Sequence, residues 1–233
     1  MVNTKKTKYL GSKTNTKNTN PDNFCLDGVE NPHLDKDYVI RFSSPEFTSI
    51  CPITSQPDFG CIIVDYVPSK LILESKSFKL FLFSFRDYGG FHEDCTLKIA
   101  KKIEKYNPLW FEEPVPPDNT EEMAKVARST TIPIATGERL TTKQEFSQVL
   151  KLNAANILQP ALGRVGGIWE AKKIAILAET YNSSLAPHLY AGPLEWAANI
   201  QLGASIPNLL ILETIKTGKG FQRELITKDI IWE

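Results

Sequence analysis

A cysteine and an aspartate stand close together in the stretch 47–59, FTSICPITSQPDF. Cys51 offers a nucleophilic thiol and Asp58 a carboxyl group that can give or take a proton, a pairing that covalent catalysis uses. Pro52 and Pro57 fix φ and disfavour helix in the residues before them, so the stretch is predicted to be a rigid, non-helical loop. The alternative is a buried, structural Cys51 and a turn-forming Asp58, because free cysteines are commonly buried.

Two β-rich runs flank this loop, YVIRF at 38–42 and GCIIVDYVP at 60–68. Their composition and alternation predict an antiparallel pair of strands. The loop between them would then be a long connection, which is where functional residues concentrate.

Two further polar pairs follow the predicted strands. Glu74 and Ser75 end a short strand at 71–74, and Ser75 or Ser77 is expected to cap a helix that runs to Gly89–Gly90. His92 and Glu93 then begin a second helix, where a carboxylate favours the helix dipole and a histidine can point into a cleft. The alternative for this second pair is simple capping and surface charge.

Together these three pairs resemble a family of enzymes. The segments FTSICPITSQPDF, ESKSFKLFLFSFR and FHEDC are similar to the NADPH-dependent 7-cyano-7-deazaguanine reductases of queuosine biosynthesis, which are nitrile reductases with the tunnelling fold. The resemblance runs from about residue 9 to residue 95, and the family continues beyond that point with a helix and two strands. Ser55 departs from it, because the family usually has glycine there.

The resemblance implies a role for each matching residue. Cys51 would be the nucleophile that forms a thioimide with the substrate nitrile, and Asp58 would be the proton donor. NADPH would supply hydride. The residues that would bind the deazaguanine ring are Leu73, Glu74, Ser75, His92 and Glu93. A guanine-like edge presents N–H donors, which a carboxylate such as Glu74 or Glu93 can accept.

Composition and charge narrow the function classes. The 233 residues carry 27 basic and 27 acidic side chains, so the net charge is zero and gives no sign of a nucleic-acid partner. The four cysteines lack metal-binding spacing and are expected to be reduced thiols in a cytoplasmic protein. No apolar run is long enough to suggest a membrane partner. The reductase hypothesis instead predicts a small-molecule substrate and a homo-oligomer.

The remainder of the chain has a different pattern. Five short apolar runs, four of them with a polar residue at the strand end, alternate with four helix-period segments, which predicts a parallel βα architecture. The runs are LWFEEP, IPIATGE, NILQPA, SLAPH and LLILET. In a (β/α) barrel, the carboxyl ends of the strands form the catalytic face.

This part resembles the later barrel of enolase-superfamily enzymes of the sugar-acid dehydratase or mandelate racemase type, on WFEEPVPP, IPIATGERL, ILQP and APHLYAGP. The resemblance implies that Glu112 and Glu138 are two of three Mg²⁺ ligands, His188 the general base and Glu213 a carboxyl beside the substrate. The third ligand and the earlier strands are missing. Ala161 replaces the aspartate that usually partners the histidine, so His188 is expected to lack an orienting carboxylate.

The predicted fold is therefore mixed α/β, a partial tunnelling-fold (α+β) unit followed by a partial (β/α) barrel. The expected divisions are a mobile polar N-terminus at 1–23, a truncated nitrile reductase unit at 24–96 and a partial barrel at 97–233. Three functions stay open: nitrile reduction, a Mg²⁺-dependent lyase of the sugar-acid dehydratase kind, and an inactive fusion remnant or interaction protein.

Overall fold

The computed structural model describes residues 7–9, 20–104, 106–214 and 224, and divides the chain into two compact units, Met1–Lys102 and Ile103–Glu233. Most of the predicted mobile segment 1–23 lies outside the described residues. Within the described ranges, no helix is long and apolar enough to cross a membrane. The four cysteines are free thiols.

The central feature of the first unit is an antiparallel hairpin of β2 (Ile40–Ile50) and β3 (Pro57–Tyr66). The antiparallel pairing was predicted, but the long connection was wrong: only residues 51–56 lie between the strands. Pro57 is tolerated in β3 because it is the first residue of the strand, where a proline does least harm to the ladder. Pro45 is accommodated by an irregularity in register between Ser44 and Phe47.

A second, shorter pair joins β1 (Gly28–Glu30) to β4 (Leu71–Leu73), also antiparallel. Helix α1 (Ser75–Phe83) follows β4 at once. Its N-cap is Glu74 rather than one of the predicted serines, because the Glu74 carboxylate accepts hydrogen bonds from the backbone N–H groups of Lys76 and Ser77. A carboxylate at this position also favours the helix dipole.

The core of the first unit lies between α1 and the hairpin. Ring centroids are 5.5 Å apart for Phe42 and Phe78 and 5.5 Å apart for Phe47 and Phe85. Phe81, fully buried, packs against Phe85 at 5.4 Å. Phe78 contacts Phe42 near the open end of the hairpin and Phe85 contacts Phe47 nearer the 51–56 turn. Helix α1 and the turn after it therefore run along the hairpin towards the 51–56 turn.

Helix α2 (His92–Glu104) starts at the predicted residue in the first unit, and its last two residues belong to the second. The segment before it pairs with β2: the N–H of Ile50 donates to the carbonyl of Tyr88 at 3.0 Å, and the N–H of Gly90 donates to the carbonyl of Ile50 at 3.1 Å. Glycine suits position 90 because a Cβ there would lie 2.5 Å from the Tyr88 ring. This pairing places the start of α2 beside the end of β2.

The second unit contains a four-stranded parallel sheet in the order β5-β6-β7-β8. Its strands are β5 (Phe111–Glu112), β6 (Ile134–Thr136), β7 (Ile157–Leu158) and β8 (Ser184–Leu185). Its helices are α3 (Thr120–Ser129), α4 (Lys143–Lys151), α5 (Leu162–Val165), α6 (Ile168–Thr180) and α7 (Pro193–Ala204). The order of strands and helices along the chain is that of a partial (β/α) barrel, as predicted.

The fifth predicted strand is present only as a parallel bridge between Leu185 and Leu209. The N–H of Leu185 donates to the carbonyl of Asn208 at 2.8 Å, and the N–H of Leu210 donates to the carbonyl of Leu185 at 2.7 Å. All five apolar runs therefore lie side by side in chain order. Since the carboxyl ends of parallel strands share one edge, the polar residues at their ends are brought together.

Candidate functional sites

Cys51 lies at the start of the turn that joins β2 to β3. Its N–H donates to the carbonyl of Gln56 at 2.9 Å, and its carbonyl accepts from the N–H of Ser55 at 2.9 Å. Ser55 has a φ of 56°, a left-handed conformation that glycine adopts at lower cost. These bonds close residues 51–56 into a tight turn in which Cys51 is partly exposed.

The environment of Cys51 favours its thiolate form. A hydrogen bond from the Thr54 hydroxyl is the largest influence that lowers the pKa of the Cys51 thiol, followed by those from the N–H groups of Thr54 and Ile53. The charge of Asp58 opposes this weakly. The thiolate is the reactive form of cysteine, so the turn prepares Cys51 for nucleophilic attack.

Two other predicted residues lie beside this turn. Asp58 pairs with Ser49 across the hairpin, and its Oδ2 is 4.0 Å from His92 Nε2. Both side chains are about half exposed, at 37% and 48%. Glu93 follows in the first turn of α2 and is partly exposed. A thiol, a carboxyl group and an imidazole thus converge at one end of the hairpin.

The third predicted pair lies at the other end of the hairpin. The N–H of Leu73 donates to the hydroxyl of Tyr66 at 2.8 Å, and Tyr66 is the last residue of β3. The eight residues from Asp58 to Tyr66 span roughly 26 Å of extended strand. Leu73, Glu74 and Ser75 are therefore not gathered around Cys51 within one chain.

The buried Glu74 has a structural task as well. It is 4% exposed, and its two oxygens accept hydrogen bonds from the N–H groups of Lys76 at 2.9 Å and Ser77 at 2.8 Å. Each carboxylate oxygen can accept a further bond, so capping leaves acceptor capacity for a ligand.

A second cluster forms at the carboxyl edge of the parallel sheet. Glu112 ends β5, Glu138 follows β6 by two residues, and His188 follows β8 by three. Gly137, with a φ of 135°, makes the bend before Glu138, and a Cβ there would lie 2.6 Å from the Phe146 ring. Glu213 lies just after the bridge at Leu209, so the sheet brings together all four residues that the sequence singled out.

His188 is held between two carboxylates. Its Nδ1 lies 2.8 Å from Oε2 of Glu213 and 3.3 Å from Oε2 of Glu138. The hydrogen bond to Glu213 is the main cause that raises the pKa of His188, and burial opposes it. The expectation that His188 lacks an orienting carboxylate is therefore wrong, because Glu213 supplies one although position 161 is alanine.

Comparison with known proteins places this second unit in a family. A family model described as enolase C-terminal domain-like matches residues 88–233. The chain belongs to the enolase C-terminal domain-like family. A mandelate racemase/muconate lactonizing enzyme from Sulfitobacter is 56% identical, with a TM-score of 0.55 over 65% of this chain and 39% of that one. Another from Jannaschia is 52% identical, with a TM-score of 0.54 over 65% of this chain and 40% of that one.

A second family model, from a different family, also matches the chain. A model described as QueF-like protein matches residues 57–113. An NADPH-dependent 7-cyano-7-deazaguanine reductase from Rhizobium etli is 53% identical over 43% of this chain, and one from Synechococcus is 55% identical over 39%. The chain spans 65% and 52% of the length of these two relatives. Because one part of the chain matches the reductases and another matches the enolase family, the chain is fusion-like.

The two family matches overlap at residues 88–113, a range that includes all of α2. A helix is compatible with both families at this point because its local hydrogen bonds do not depend on which sheet follows. The finer division of the chain at 23/24 and 96/97 stays a prediction.

The carboxylates at the carboxyl edge of the enolase-family unit already have hydrogen-bond or ion-pair partners. Glu112 Oε2 accepts hydrogen bonds from Gln159 Nε2 at 2.8 Å and from Trp110 Nε1 at 3.0 Å, while Glu138 lies against His188. In the described part of the chain, no group of three or more His, Cys, Asp or Glu side chains is placed to hold a metal ion. Because both carboxylates are already engaged by nitrogen groups of neighbouring side chains, this arrangement does not fit Mg²⁺, which needs their oxygens as ligands.

Sequence reasoning missed three residues at these sites. Thr54 lowers the pKa of Cys51, Gln159 hydrogen-bonds to Glu112, and Arg139 forms a double hydrogen bond with Glu113. Gln159 directly follows β7, so its place at a strand end was a signal that could have found it. Thr54 lies within the loop that the sequence singled out, but its effect on the pKa of Cys51 depends on the folded conformation of the 51–56 turn.

Proposed function

We propose that the chain reduces the nitrile of 7-cyano-7-deazaguanine to an aminomethyl group, as a cytoplasmic NADPH-dependent oxidoreductase of queuosine biosynthesis. The observation that carries this proposal is the grouping of Cys51, Asp58 and His92 at one end of the hairpin, with Cys51 favoured as a thiolate. The names of the relatives support the choice of substrate and cofactor.

The first step is addition of the Cys51 thiolate to the nitrile carbon. A carbon–sulfur bond forms, one π bond of the nitrile breaks, and its electron pair moves to nitrogen. Asp58 gives that nitrogen a proton, which leaves a neutral covalent thioimide and an aspartate anion. His92, 4.0 Å from Asp58, stabilises the resulting charge when it is protonated.

Complete reduction to the amine needs two hydride equivalents, and NADPH is the source we propose. A cavity of about 290 Å³ lies against α2 and contains lysines, whose positive charge could attract phosphate groups. It is lined by Pro21, Asp22, Asp94, Leu97, Lys98, Lys101 and Lys102. Lys98 is already paired with the Asp22 carboxylate at 2.8 Å, and Lys102 donates to the Asp22 carbonyl at 3.1 Å. That donor set does not fit a dinucleotide, so NADPH is assigned from the relatives alone.

We assign Leu73, Glu74, Ser75, His92 and Glu93 to binding of the deazaguanine ring. Because the first three lie at the other end of the hairpin from Cys51, a complete site would take them from a second copy of the chain. The proposed active species is therefore a homo-oligomer with a small-molecule substrate.

The test of this proposal is a covalent adduct. The full chain is incubated with 7-cyano-7-deazaguanine without NADPH, and intact mass is measured together with thioimide absorbance. The expected result is one added substrate mass that is lost in Cys51→Ala and kept in Cys61→Ala, a matched change at an exposed cysteine on β3. No adduct, or one that survives Cys51→Ala, would overturn the proposal.

A second candidate function is a lyase of the sugar-acid dehydratase kind in the enolase-family unit. The convergence of Glu112, Glu138, His188 and Glu213 favours it, with His188 as the base that removes a proton next to a carboxylate. The Mg²⁺ that the family implies does not fit the described donors. A melting temperature that rises with millimolar MgCl₂ would support this candidate, because binding to the native state stabilises it.

The third reading is an inactive remnant or interaction protein. A cooperative thermal transition of the purified chain, together with the adduct on Cys51, would exclude it. Absence of both would favour it over the two enzymatic functions.

A further inference from the structure

The edge of β4 that faces away from β1 bears the backbone N–H of Leu73. Leu73 pairs with Gly28 of β1, and the next N–H along the chain, that of Glu74, donates to the carbonyl of Asp27 at 2.9 Å. Because successive N–H groups of a strand point to opposite sides, the N–H of Leu73 points away from β1. In the described part of the chain, β4 has no second neighbouring strand on that side.

A side chain takes the place of a neighbouring strand at this edge. The hydroxyl oxygen of Tyr66 accepts a hydrogen bond from the N–H of Leu73 at 2.8 Å. Tyr66 is the last residue of β3, and residues 67–70 separate it from β4. The bond therefore joins the end of the β2–β3 hairpin to the strand that leads directly into Glu74 and Ser75.

The ring of Tyr66 is itself held in place by aromatic contacts. It stacks on Phe42 of β2, with ring centroids 6.3 Å apart and an interplanar angle of 19°. Phe42 in turn contacts Phe78 of α1, with ring centroids 5.5 Å apart. Since α1 begins at Ser75, the segment 73–75 is fixed from two sides, by the hydroxyl of Tyr66 before Glu74 and by the helix after it.

We propose that Tyr66 is a positioning residue for the deazaguanine ring: its hydroxyl holds the backbone of Leu73 so that Glu74 and Ser75 lie where the ring binds. This inference rests on the proposed function, which assigns residues 73–75 to the ring. A segment that is already fixed loses less conformational freedom when its ligand binds, so the affinity is higher. Because the hydroxyl acts through the backbone of Leu73, its effect is expected on binding of the ring and not on the attack by Cys51.

The hydroxyl group of Tyr66 is suited to this role. Burial is the largest influence on its pKa and raises it, so the group stays protonated and uncharged at neutral pH. A neutral phenol oxygen has lone pairs that accept an N–H and needs no counter-ion in a partly buried place. Phenylalanine offers the same ring without that oxygen, so the contribution of the hydroxyl can be measured by itself.

The test measures the rate of adduct formation in the full chain at a series of 7-cyano-7-deazaguanine concentrations, without NADPH. Tyr66→Phe keeps the ring that stacks on Phe42 and removes only the oxygen. The substrate concentration that gives half the maximal rate is expected to rise about 3- to 10-fold, as for the loss of one hydrogen bond, and the maximal rate to change less than about 2-fold. An unchanged half-saturating concentration, or a fall in the maximal rate instead, would overturn the proposal.

Tyr38→Phe is the matched control, because it also removes one tyrosine hydroxyl. That hydroxyl donates to Oδ1 of Asn31 at 2.6 Å and not to the segment 73–75. The control is expected to leave the half-saturating concentration unchanged. An equal rise in Tyr38→Phe would indicate a general loosening of this part of the chain, and would overturn a specific role for Tyr66.

Amide hydrogen exchange without substrate gives a readout that does not depend on activity. The Leu73 amide is expected to exchange faster in Tyr66→Phe than in wild type, because its acceptor is gone. The Glu74 amide, bonded to the carbonyl of Asp27, is expected to keep its protection. Equal exchange of the Leu73 amide in both proteins would show that the hydroxyl does not hold it, which contradicts the proposal.

The outcomes also separate this inference from the reductase assignment. No adduct in the wild-type chain would overturn the assignment, and the role of Tyr66 in ring binding with it. An adduct that forms with the same half-saturating concentration in wild type and Tyr66→Phe would overturn only the role of Tyr66.

Discussion

Polar side chains are brought together by different structural means in the two candidate sites. In the first unit, Cys51, Asp58 and His92 come from a turn, a strand and a helix start, and one strand end, Ile50, holds them near each other. In the enolase-family unit, four residues far apart in the chain meet because parallel strands end at one edge. The first site depends on local hydrogen bonds, and the second depends on the integrity of a sheet.

The sites also differ in how their polar groups are already occupied. Cys51 and Asp58 are partly exposed and open to a substrate. At the sheet edge, by contrast, Glu112 is bonded to Gln159 and His188 to Glu213. The reactive groups of the first site are thus partly exposed, whereas the charged groups at the sheet edge are already paired with neighbouring side chains.

The largest expected effects come from truncating one buried side chain in the core of each unit. Phe81→Ala in α1 and Leu158→Ala in β7 each remove a fully buried side chain and leave a cavity. Losses of about 3–5 kcal/mol for the phenylalanine and about 2–5 kcal/mol for the leucine are expected. Urea unfolding followed by circular dichroism would measure both. A loss below 1 kcal/mol in either variant would contradict the burial of that core.

A smaller effect contrasts two arginine–carboxylate pairs. Arg139 makes two hydrogen bonds to Glu113, whose side chain is only 11% exposed, whereas Arg41 pairs with Asp65 on the exposed face of the hairpin. Arg139→Ala leaves a largely buried carboxylate without its charged partner, with the Thr136 hydroxyl still donating to Oε1 of Glu113 at 3.2 Å, and should cost about 1–3 kcal/mol. Arg41→Ala should cost at most about 1 kcal/mol. Equal shifts in the urea midpoint would contradict this difference.

The cap of α1 provides a prediction about Glu74. Glu74→Ala removes two hydrogen bonds to helix N–H groups and should lower stability by about 0.5–2 kcal/mol, measured without substrate. Ser75→Ala, at a solvent-exposed neighbouring position, is the control and should change little. An unchanged thermal transition in Glu74→Ala would contradict a stabilising contribution of this carboxylate as the cap of α1.

The smallest expected effect is a pH dependence in the enolase-family unit. Glu213 raises the pKa of His188 in the folded state, so the bond stabilises the fold fully below the unfolded pKa of about 6.5, and this stabilisation is lost as pH rises through the folded pKa. The urea midpoints of wild type and Glu213→Gln should therefore differ most near pH 6 and converge at higher pH. A difference that is constant from pH 6 to 9 would show that the pair does not titrate.

The sequence predicted the architecture well where a pattern repeats. Alternating apolar runs and helix-period segments gave the parallel sheet of the second unit and the edge where Glu112 and His188 meet. The sequence-based prediction was less accurate at the ends of strands and helices, where one or two hydrogen bonds determine the boundary. Strand β2 extends to Ile50 because its ladder continues past the predicted end, and α1 is capped by Glu74 because a carboxylate can reach two N–H groups where a serine reaches one.

The partner of His188 could not be predicted for a related reason. The missing carboxylate at Ala161 was evident in the sequence, but the compensating hydrogen bond from His188 to Glu213 depends on where a segment 25 residues beyond His188 passes along the sheet. Such a contact has no local signature, because the two residues meet only when β8 pairs with residue 209.

The left-handed conformation of Ser55 has a consequence for the dynamics of the first site. A non-glycine residue in this region costs of the order of 1 kcal/mol, so the 51–56 turn should open locally more often than the strands beside it. Hydrogen exchange at the Cys51 amide, bonded to Gln56, would report that opening directly. Ser55→Gly would remove the strain yet give the open turn more conformations, so protection of this amide would show which of the two effects governs how long the thiol stays confined.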